Sequence, residues 1–265
     1  MIDYARVKSK GGARPRGVLR ESLPNKPLVS VITAVLNGKS FLDQTVQSVA
    51  HQTYDNVEYL VIDGGSQDGT LDIIQKYEEF VDFWVSEPDR GIYDAMNKGI
   101  DLASGEWLIF MNAGDVFFDE QALEKTIGYV AENVDLLYSN TWFHGTRSRL
   151  FICDHVRMRI IHQSLLYRKQ LHEEAGKYLV GAGVTISDYI FFNLVAHKRW
   201  KKVDHVIAKC DDRGMSSRSW TLYQKLAVDL IFQLRGRLQV SALLALYPFY
   251  KTLKRLWLSF TRFGR

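Results

Sequence analysis

Cysteine is scarce: there are two in 265 residues, Cys153 and Cys210. That is too few for a disulfide scaffold, and their separation is not that of a zinc site, so both read as reduced core or loop thiols. No early apolar run reaches the length of a signal sequence or a membrane span, and the chain is therefore expected to stay in the cytosol. No G-x-G-x-x-G follows the first apolar strand, which argues against a dinucleotide-binding dehydrogenase. The segment Val35-Leu36-Asn37-Gly38-Lys39-Ser40 in that place is also a poor substitute for the Gly/Arg/Lys-rich phosphate loop of a nucleotidyltransferase. Internal repeats and low-complexity tracts are missing too.

What is present is ample apolar material, 46% of the chain, enough for one large domain with an appendage. The net charge of +4 conceals an asymmetry. Residues 1–26 carry seven basic and two acidic side chains, residues 27–212 carry 17 and 27, and residues 213–265 carry ten and one. A nucleic-acid binder would place its positive charge on the folded body, whereas here the body is acidic and only the ends are basic. No nucleic-acid partner is expected, and anionic membrane headgroups are the better match.

Residues 1–26 are rich in Lys, Arg and Gly, contain Pro15 and Pro24, and lack a sustained apolar period, which reads as a flexible basic arm. From Leu28 short apolar strands alternate with amphipathic helices: strands at 28–34, 57–62, 81–85 and 107–111, helices at 40–52, 69–78 and 92–103. Repeated βα units of this length predict an α/β fold with a mostly parallel central sheet flanked by helices. A helix at 121–132 and a strand at 135–139 continue the domain, the pattern loosens at 140–160, and a helix at 186–198 carries Asp188. The expected organisation is an arm over 1–26, a catalytic domain over 27–218 and a helical, basic, amphipathic tail over 219–265. Within 240–263, Leu243, Leu244, Tyr247, Leu253, Trp257 and Phe260 follow helical spacing while Lys251, Lys254, Arg255 and Arg262 lie toward another face. Pro248 kinks or divides this stretch. Residues 240–265 read as an interfacial helix on an anionic membrane; packing on the domain, or on a second copy in a homodimer, is the other reading.

The most informative run is Ser86-Glu87-Pro88-Asp89-Arg90-Gly91-Ile92-Tyr93-Asp94-Ala95-Met96-Asn97-Lys98-Gly99-Ile100, a turn dense in polar groups leading into a helix. Downstream, the strand 107–111 ends in Asn112-Ala113-Gly114-Asp115. Upstream, the strand 57–62 ends in Asp63-Gly64-Gly65-Ser66-Gln67-Asp68. Two buried strands thus deliver carboxylates to one sheet edge, where open α/β sheets bind ligands.

Taken together with Val29-Ser30-Val31-Ile32-Thr33-Ala34, these blocks resemble the family 2 inverting glycosyltransferases of bacterial polysaccharide assembly, the colanic-acid and O-antigen type, over roughly Pro27 to Gly214. The resemblance implies a GT-A (Rossmann-like) fold with a C-terminal helical extension. It also implies a nucleotide-sugar donor, a UDP-sugar, a lipid-linked saccharide acceptor and peripheral placement on the inner face of the cytoplasmic membrane. Thr33, Ala34 and Leu36 would line the nucleoside pocket, and Asp63 would meet the base or else cap its turn. Asp68 is explained by turn and cap chemistry. Glu87, Asp89 and Asp94 would form the floor beneath the sugar, with Asn97 and Lys98 opening a helix toward the diphosphate.

Asn112, Ala113 and Gly114 would contact the donor, while Asp115 would share Mn²⁺ or Mg²⁺ with the diphosphate or else cap a helix. Two departures stand out. The family pattern has two acids where this chain has Asn112 and Asp115, and an amide oxygen binds a cation less well than a carboxylate. Many relatives have Arg at the position of Met96, leaving Arg90 as the nearby cation. Thr185-Ile186-Ser187-Asp188-Tyr189 resembles the acceptor-side motif, which makes Asp188 the base, with a helix-dipole role as the alternative. His162 and Arg213 would bind acceptor or phosphate, His162 alternatively being structural, and residues 211–216 would close over the diphosphate or serve as a linker. A non-catalytic scaffold within a polysaccharide complex is the competing reading from another class.

Overall fold

The computed structural model describes residues 9–145, 148–211 and 219–247. In chain order its elements are β1 (Ser9–Gly11), β2 (Val29–Val35), α1 (Leu42–Ala50), β3 (Val57–Asp63), α2 (Thr70–Lys76), β4 (Phe83–Ser86), α3 (Ile92–Leu102) and β5 (Trp107–Phe110). Then follow β6 (Val116–Phe117), α4 (Ala122–Ile127), β7 (Leu136–Tyr138), β8 (Thr141–His144), β9 (Arg149–Phe151), β10 (Leu165–Arg168), α5 (Leu171–Ala175) and α6 (Ser187–Leu194). The last are β11 (Trp200–Lys202), β12 (Ala208–Asp211) and α7 (Ser219–Ile231).

Eight strands form one sheet in the order β1-β4-β3-β2-β5-β10-β7-β11. Its centre is parallel, with Val35 opposite Asp63 and Asp63 opposite Ser86, so the strand ends that carry polar loops are level with one another. β10 runs antiparallel between β5 and β7, which brings its entry turn, His162–Ser164, to the same edge. A second sheet, β6-β12-β8-β9, flanks that edge.

β2, β3 and β5 are buried on both faces, as near-continuous Val/Ile/Leu runs require. Residues of one parity, among them Val31, Val61 and Ile109, pack with Leu42, Val46 and Ile74 from α1 and α2. Those of the other parity, among them Ile32, Ile62 and Phe110, pack with Met96 and Ile100 from α3 and with Phe191 and Phe192 from α6. α3 approaches the sheet so closely that a Cβ at Gly99 would collide with the Ile32 side chain.

The expected flexible arm needs correcting over its described part. Ser9–Gly11 adds an antiparallel edge strand to β4, and two arginines plug buried acids beneath the sheet. Arg14 pairs with Glu58, which also accepts from Ser30 Oγ at 2.5 Å and Ser104 N at 2.8 Å. Arg20 Nε meets Asp82 at 2.7 Å, while Asp82 also accepts from Tyr59 N. Buried carboxylates demand such partners, and a sequence rich in Arg and Gly supplies them without any apolar period.

The chain divides into two compact units, residues 1–214 and 215–265. In the second, α7 and a further helical stretch over 237–247 are joined by an edge-to-face contact of Tyr223 with Tyr247 at 5.6 Å and by an Arg235–Asp229 ion pair at 2.7 Å. Among the described residues no helix is long and apolar enough to cross a membrane. Pro248 and the basic residues from Lys251 onward lie outside the described residues.

Candidate active site

The carboxyl ends of β3, β4 and β5 place three acidic loops along one edge of the sheet. Asp63, at the end of β3, is 0% exposed. It accepts from Gly65 N at 3.1 Å, Ser66 N at 3.1 Å and Ser86 Oγ at 2.6 Å, and from the Ser66 hydroxyl. Its geometry is that of a turn anchor, with its acceptor positions taken by the loop it closes. Asp68 likewise holds Thr70 N and Lys39 N, each at 3.0 Å. Thr33 is buried and donates to Met111 O at 2.7 Å. Leu36, by contrast, is exposed and overhangs Gly64, whose missing side chain leaves room beside Asp89.

The 87–98 block folds around Lys98. Its ammonium lies 2.6 Å from Glu87, pairs with Asp89 and sits 4.0 Å from Asp94, all largely buried. Glu87 is 1% exposed and has no hydrogen-bond donor beyond this ion pair. Burial pushes the Asp89 carboxyl up to about 6 despite Lys98, and nearby Asp94 and Glu87 add to the rise. Burial also acts to raise Asp94, but the side-chain and backbone donors of Arg90 outweigh it and hold that carboxyl below its usual range. The acids expected to form one floor are therefore together, whereas Lys98 faces them rather than opening toward a phosphate. Asn97 makes a reciprocal pair with Tyr178, Nδ2 donating to its carbonyl at 2.8 Å and Oδ1 accepting from its N–H at 3.0 Å. It clamps α3 to the segment ahead of α6.

At the end of β5, Asn112, Ala113 and Gly114 form the turn into Asp115. Asp115 is not a helix cap, since α4 begins later, after Gln121. Its Oδ2 accepts from Gln163 Nε2 at 2.6 Å. Burial pushes this carboxyl up to about 6, against the opposing pull of Gln163, His162, Cys210 and the Asp211 backbone. The Cys210 thiol, buried against this acid, is raised in turn by burial first and by Asp115 second.

Asn112 Nδ2 lies 3.1 Å from His162 Nε2, and His162 Nδ1 lies 3.0 Å from Asp188 Oδ2. Tyr93, on the first turn of α3, donates to Asp188 Oδ1 at 2.7 Å. Asp188, on the first turn of α6, keeps 20% of its side chain exposed. Burial works to raise this carboxyl, but His162 and Tyr93 together hold it below its usual range. An ionised, partly open carboxylate with two fixed donors is a competent proton acceptor.

Asp188, His162 and Asn112 thus form one cluster, with Asp115 joined to the neighbouring Gln163. Asp94 sits in the adjoining acidic cluster, and Arg213 lies outside the described residues. Sequence reasoning did not single out Tyr93 or Cys210. Tyr93 lies one residue before Asp94 in the informative run, and Cys210 lies within the short strand β12; only the fold shows what each touches. A cavity of about 500 Å³ lined by Asp135, Arg168, Glu174, Lys198 and Arg199 lies at the opposite ends of β7 and β11. Its cations are already paired with Asp135, Glu106 and Glu174.

As for a divalent cation, the described residues hold no group of three or more His, Cys, Asp or Glu side chains placed to bind a metal. Asp115 offers a carboxylate at the expected place. That fits the habit of Mg²⁺-like ions of taking one or two carboxylates and completing their shell with substrate phosphates and water.

This sheet, with polar loops at the ends of its parallel strands, defines a GT-A type α/β domain. Residues 30–183 match glycosyl transferase family 2, and the chain belongs to that family. It is 33% identical over 162 residues to a PGL/p-HBAD biosynthesis glycosyltransferase of Mycobacterium bovis, a match covering 57% of this chain and 63% of that relative. It is 36% identical over 110 residues to the putative teichuronic acid biosynthesis glycosyltransferase TuaG of Bacillus subtilis, covering 40% of this chain and 43% of that protein. The aligned part thus spans less than two thirds of these relatives. Among solved structures, S. aureus TarS 1–349 in complex with UDP-GlcNAc superposes with a TM-score of 0.65 at 18% identity, covering 78% of this chain and 66% of that one. The mannosyltransferase PcManGT of Pyrobaculum calidifontis, in complex with GDP-Man and Mn²⁺, gives 0.56 at 17% identity, covering 91% and 85%. At those identities the likeness is one of fold.

Proposed function

We propose that this chain is an inverting glycosyltransferase that moves a sugar from a UDP-sugar to a hydroxyl of a lipid-linked saccharide in cell-surface polysaccharide synthesis. The observation that carries the reading is Asp188, ionised and held by Tyr93 and His162 at the edge where β5 delivers Asp115. The family membership and the biosynthetic names of the relatives support it, as does the nucleotide sugar in the TarS complex.

In the proposed step Asp188 accepts the proton of the acceptor hydroxyl while that oxygen bonds to the anomeric carbon. The bond from the anomeric carbon to the phosphate oxygen breaks, and the nucleoside diphosphate leaves with its electron pair. Asp115 would hold Mn²⁺ or Mg²⁺ against the diphosphate, where the ion supplies positive charge as the leaving group departs. Asn112 Oδ1 already accepts from Ala34 N and its Nδ2 faces His162, which leaves one lone pair of the amide oxygen, and no charge, to offer a cation beside Asp115. The floor of Glu87, Asp89 and Asp94 would meet sugar hydroxyls, and Leu36 would cover the nucleoside. The basic tail would keep the enzyme at the inner membrane surface, beside a lipid-linked acceptor.

Calorimetric titration with UDP and with GDP, each with and without Mn²⁺, tests the donor site. UDP binding that needs Mn²⁺ and is lost in Asp115→Ala is the expected result. A folded protein that binds neither nucleotide and hydrolyses no nucleotide sugar would be the scaffold instead.

A further inference from the structure

The hydrogen-bond chain behind Asp188 has a direction, and its starting point is a backbone amide. Ala34 N lies 3.3 Å from the near atom of the Asn112 side chain. A backbone N–H only donates, so that atom is the carbonyl Oδ1, and the amide cannot be flipped without facing two donors at each other. The other end of the side chain is therefore Nδ2, which also only donates. It lies 3.1 Å from His162 Nε2, so Nε2 must present its lone pair. The ring proton then sits on Nδ1, 3.0 Å from Asp188 Oδ2. At the far side Tyr93 supplies the second donor, to Oδ1 at 2.7 Å.

We infer that Asn112 fixes His162 as the Nδ1–H tautomer, and that Asn112, His162 and Tyr93 are positioning residues which present Asp188 as an oriented carboxylate. Naming Asp188 as the base depends on the proposed function; the tautomer does not. The assignment also gives the amide at position 112 a reason. A carboxylate there would accept instead of donate and would call for a proton on Nε2. His162 would then stand as an imidazolium between residue 112 and Asp188, with Asp115 adding a third negative charge through space. Such a cation beside Asp188 stabilises its ionised form and weakens it as a base.

The test uses the full chain labelled with ¹⁵N-histidine, read by long-range ¹H–¹⁵N spectra near neutral pH. The His162 signals are identified by their loss in His162→Gln. The expected pattern is a protonated Nδ1 and a lone-pair-bearing Nε2. A protonated Nε2, either as the other tautomer or as an imidazolium, overturns the inference and needs no variant to do so. In Asn112→Asp both nitrogens should become protonated, and kcat should fall about tenfold with the donor KM held within about twofold. Parent-like His162 signals together with a parent-like kcat in that variant would also overturn it. If the parent transfers no sugar to any acceptor yet shows the Nδ1–H pattern, the proposed function fails and the tautomer assignment stands.

Discussion

Asp188 has an acceptor site for each of two donors, Tyr93 Oη–H and His162 Nδ1–H, and its isostere has one. Asp188→Asn therefore removes the base and also sets an amide N–H against one of those donors. Transfer should fall at least about a hundredfold in kcat with UDP affinity retained, and stability should drop by about 1–2 kcal/mol. Turnover near the parent level, measured with saturating donor, would remove Asp188 from the chemistry. Asp115 carries a different expectation, because burial holds its carboxyl at about 6 rather than the ordinary 3.8. Well below pH 3.8, the folded and unfolded states both keep this proton and no penalty arises. As the pH rises from about 4 to about 6 the unfolded chain releases it first, so the contribution to stability falls, reaching a penalty of about 3 kcal/mol above that window. In chelator-treated protein, Asp115→Asn should thus be more stable than the parent at about pH 8, by up to about 3 kcal/mol, and nearly equal to it at about pH 4. Urea unfolding at both pH values checks this, and a difference independent of pH would show that the carboxyl is not held protonated. At this scale the sequence announced which carboxylates sit at strand ends, because a polar residue after an apolar run is visible by itself. It left Asp63 open between a base contact and its own turn, and did not announce that Asn112 and His162, fifty residues apart, meet beside Asp188. Such pairings depend on β10 running antiparallel beside β5, and spacing along one chain does not encode it.

Elements with a long apolar period were legible, and those that gain their burial from neighbours were not. β2, β3 and β5 read as buried strands and α1 and α3 as amphipathic helices, each within a few residues of its observed bounds. β6, β8, β9 and β12 span two to four residues each, too short for a period of two to rise above composition. The antiparallel β10 was hidden as well, since nothing in Leu165–Arg168 distinguishes its direction. The arm shows the same limit from another side. Its order comes from Arg14 and Arg20 entering sockets on β3 and just ahead of β4, and charge alone reads as solvated arm. Removing one partner of such a pair leaves a buried carboxylate exposed to the cost of desolvation. Arg14→Met should lower stability by about 2–3 kcal/mol, discounted because the Arg14 side chain is 22% exposed. The double variant Arg14→Met/Glu58→Gln should recover a large part of that loss. Equal unfolding midpoints for the single and double variants would mean that the Arg14–Glu58 pair does not hold the arm.

At the scale of the whole molecule, the distribution of charge matters more than its sum. An anionic membrane would repel the acidic body and attract the C-terminal 53 residues, which carry ten basic and one acidic side chain. The arm contributes less than its composition implies, because Arg14 and Arg20 are spent on Glu58 and Asp82. Orientation on a membrane would therefore be set from the C-terminal side. The described part of that unit already exposes apolar groups, with Ile231 at 75%, Leu238 at 87% and Leu246 at 63%. An apolar contact alone would be indifferent to lipid charge, whereas each Lys or Arg near an anionic surface adds about 1 kcal/mol that salt removes. The full chain should consequently sediment with vesicles containing anionic phospholipid and far less with neutral ones. Raising the salt from about 0.1 M to about 1 M, which shortens the screening length from about 10 Å to about 3 Å, should release most of it. Changing Lys251, Lys254, Arg255 and Arg262 together to Gln should weaken the anionic-vesicle binding at least about tenfold while UDP binding is retained. Binding that ignores lipid charge and salt would assign the tail to apolar contacts. Loss of all vesicle binding, with a mass in solution that doubles as concentration rises, would make its partner a second copy of the chain.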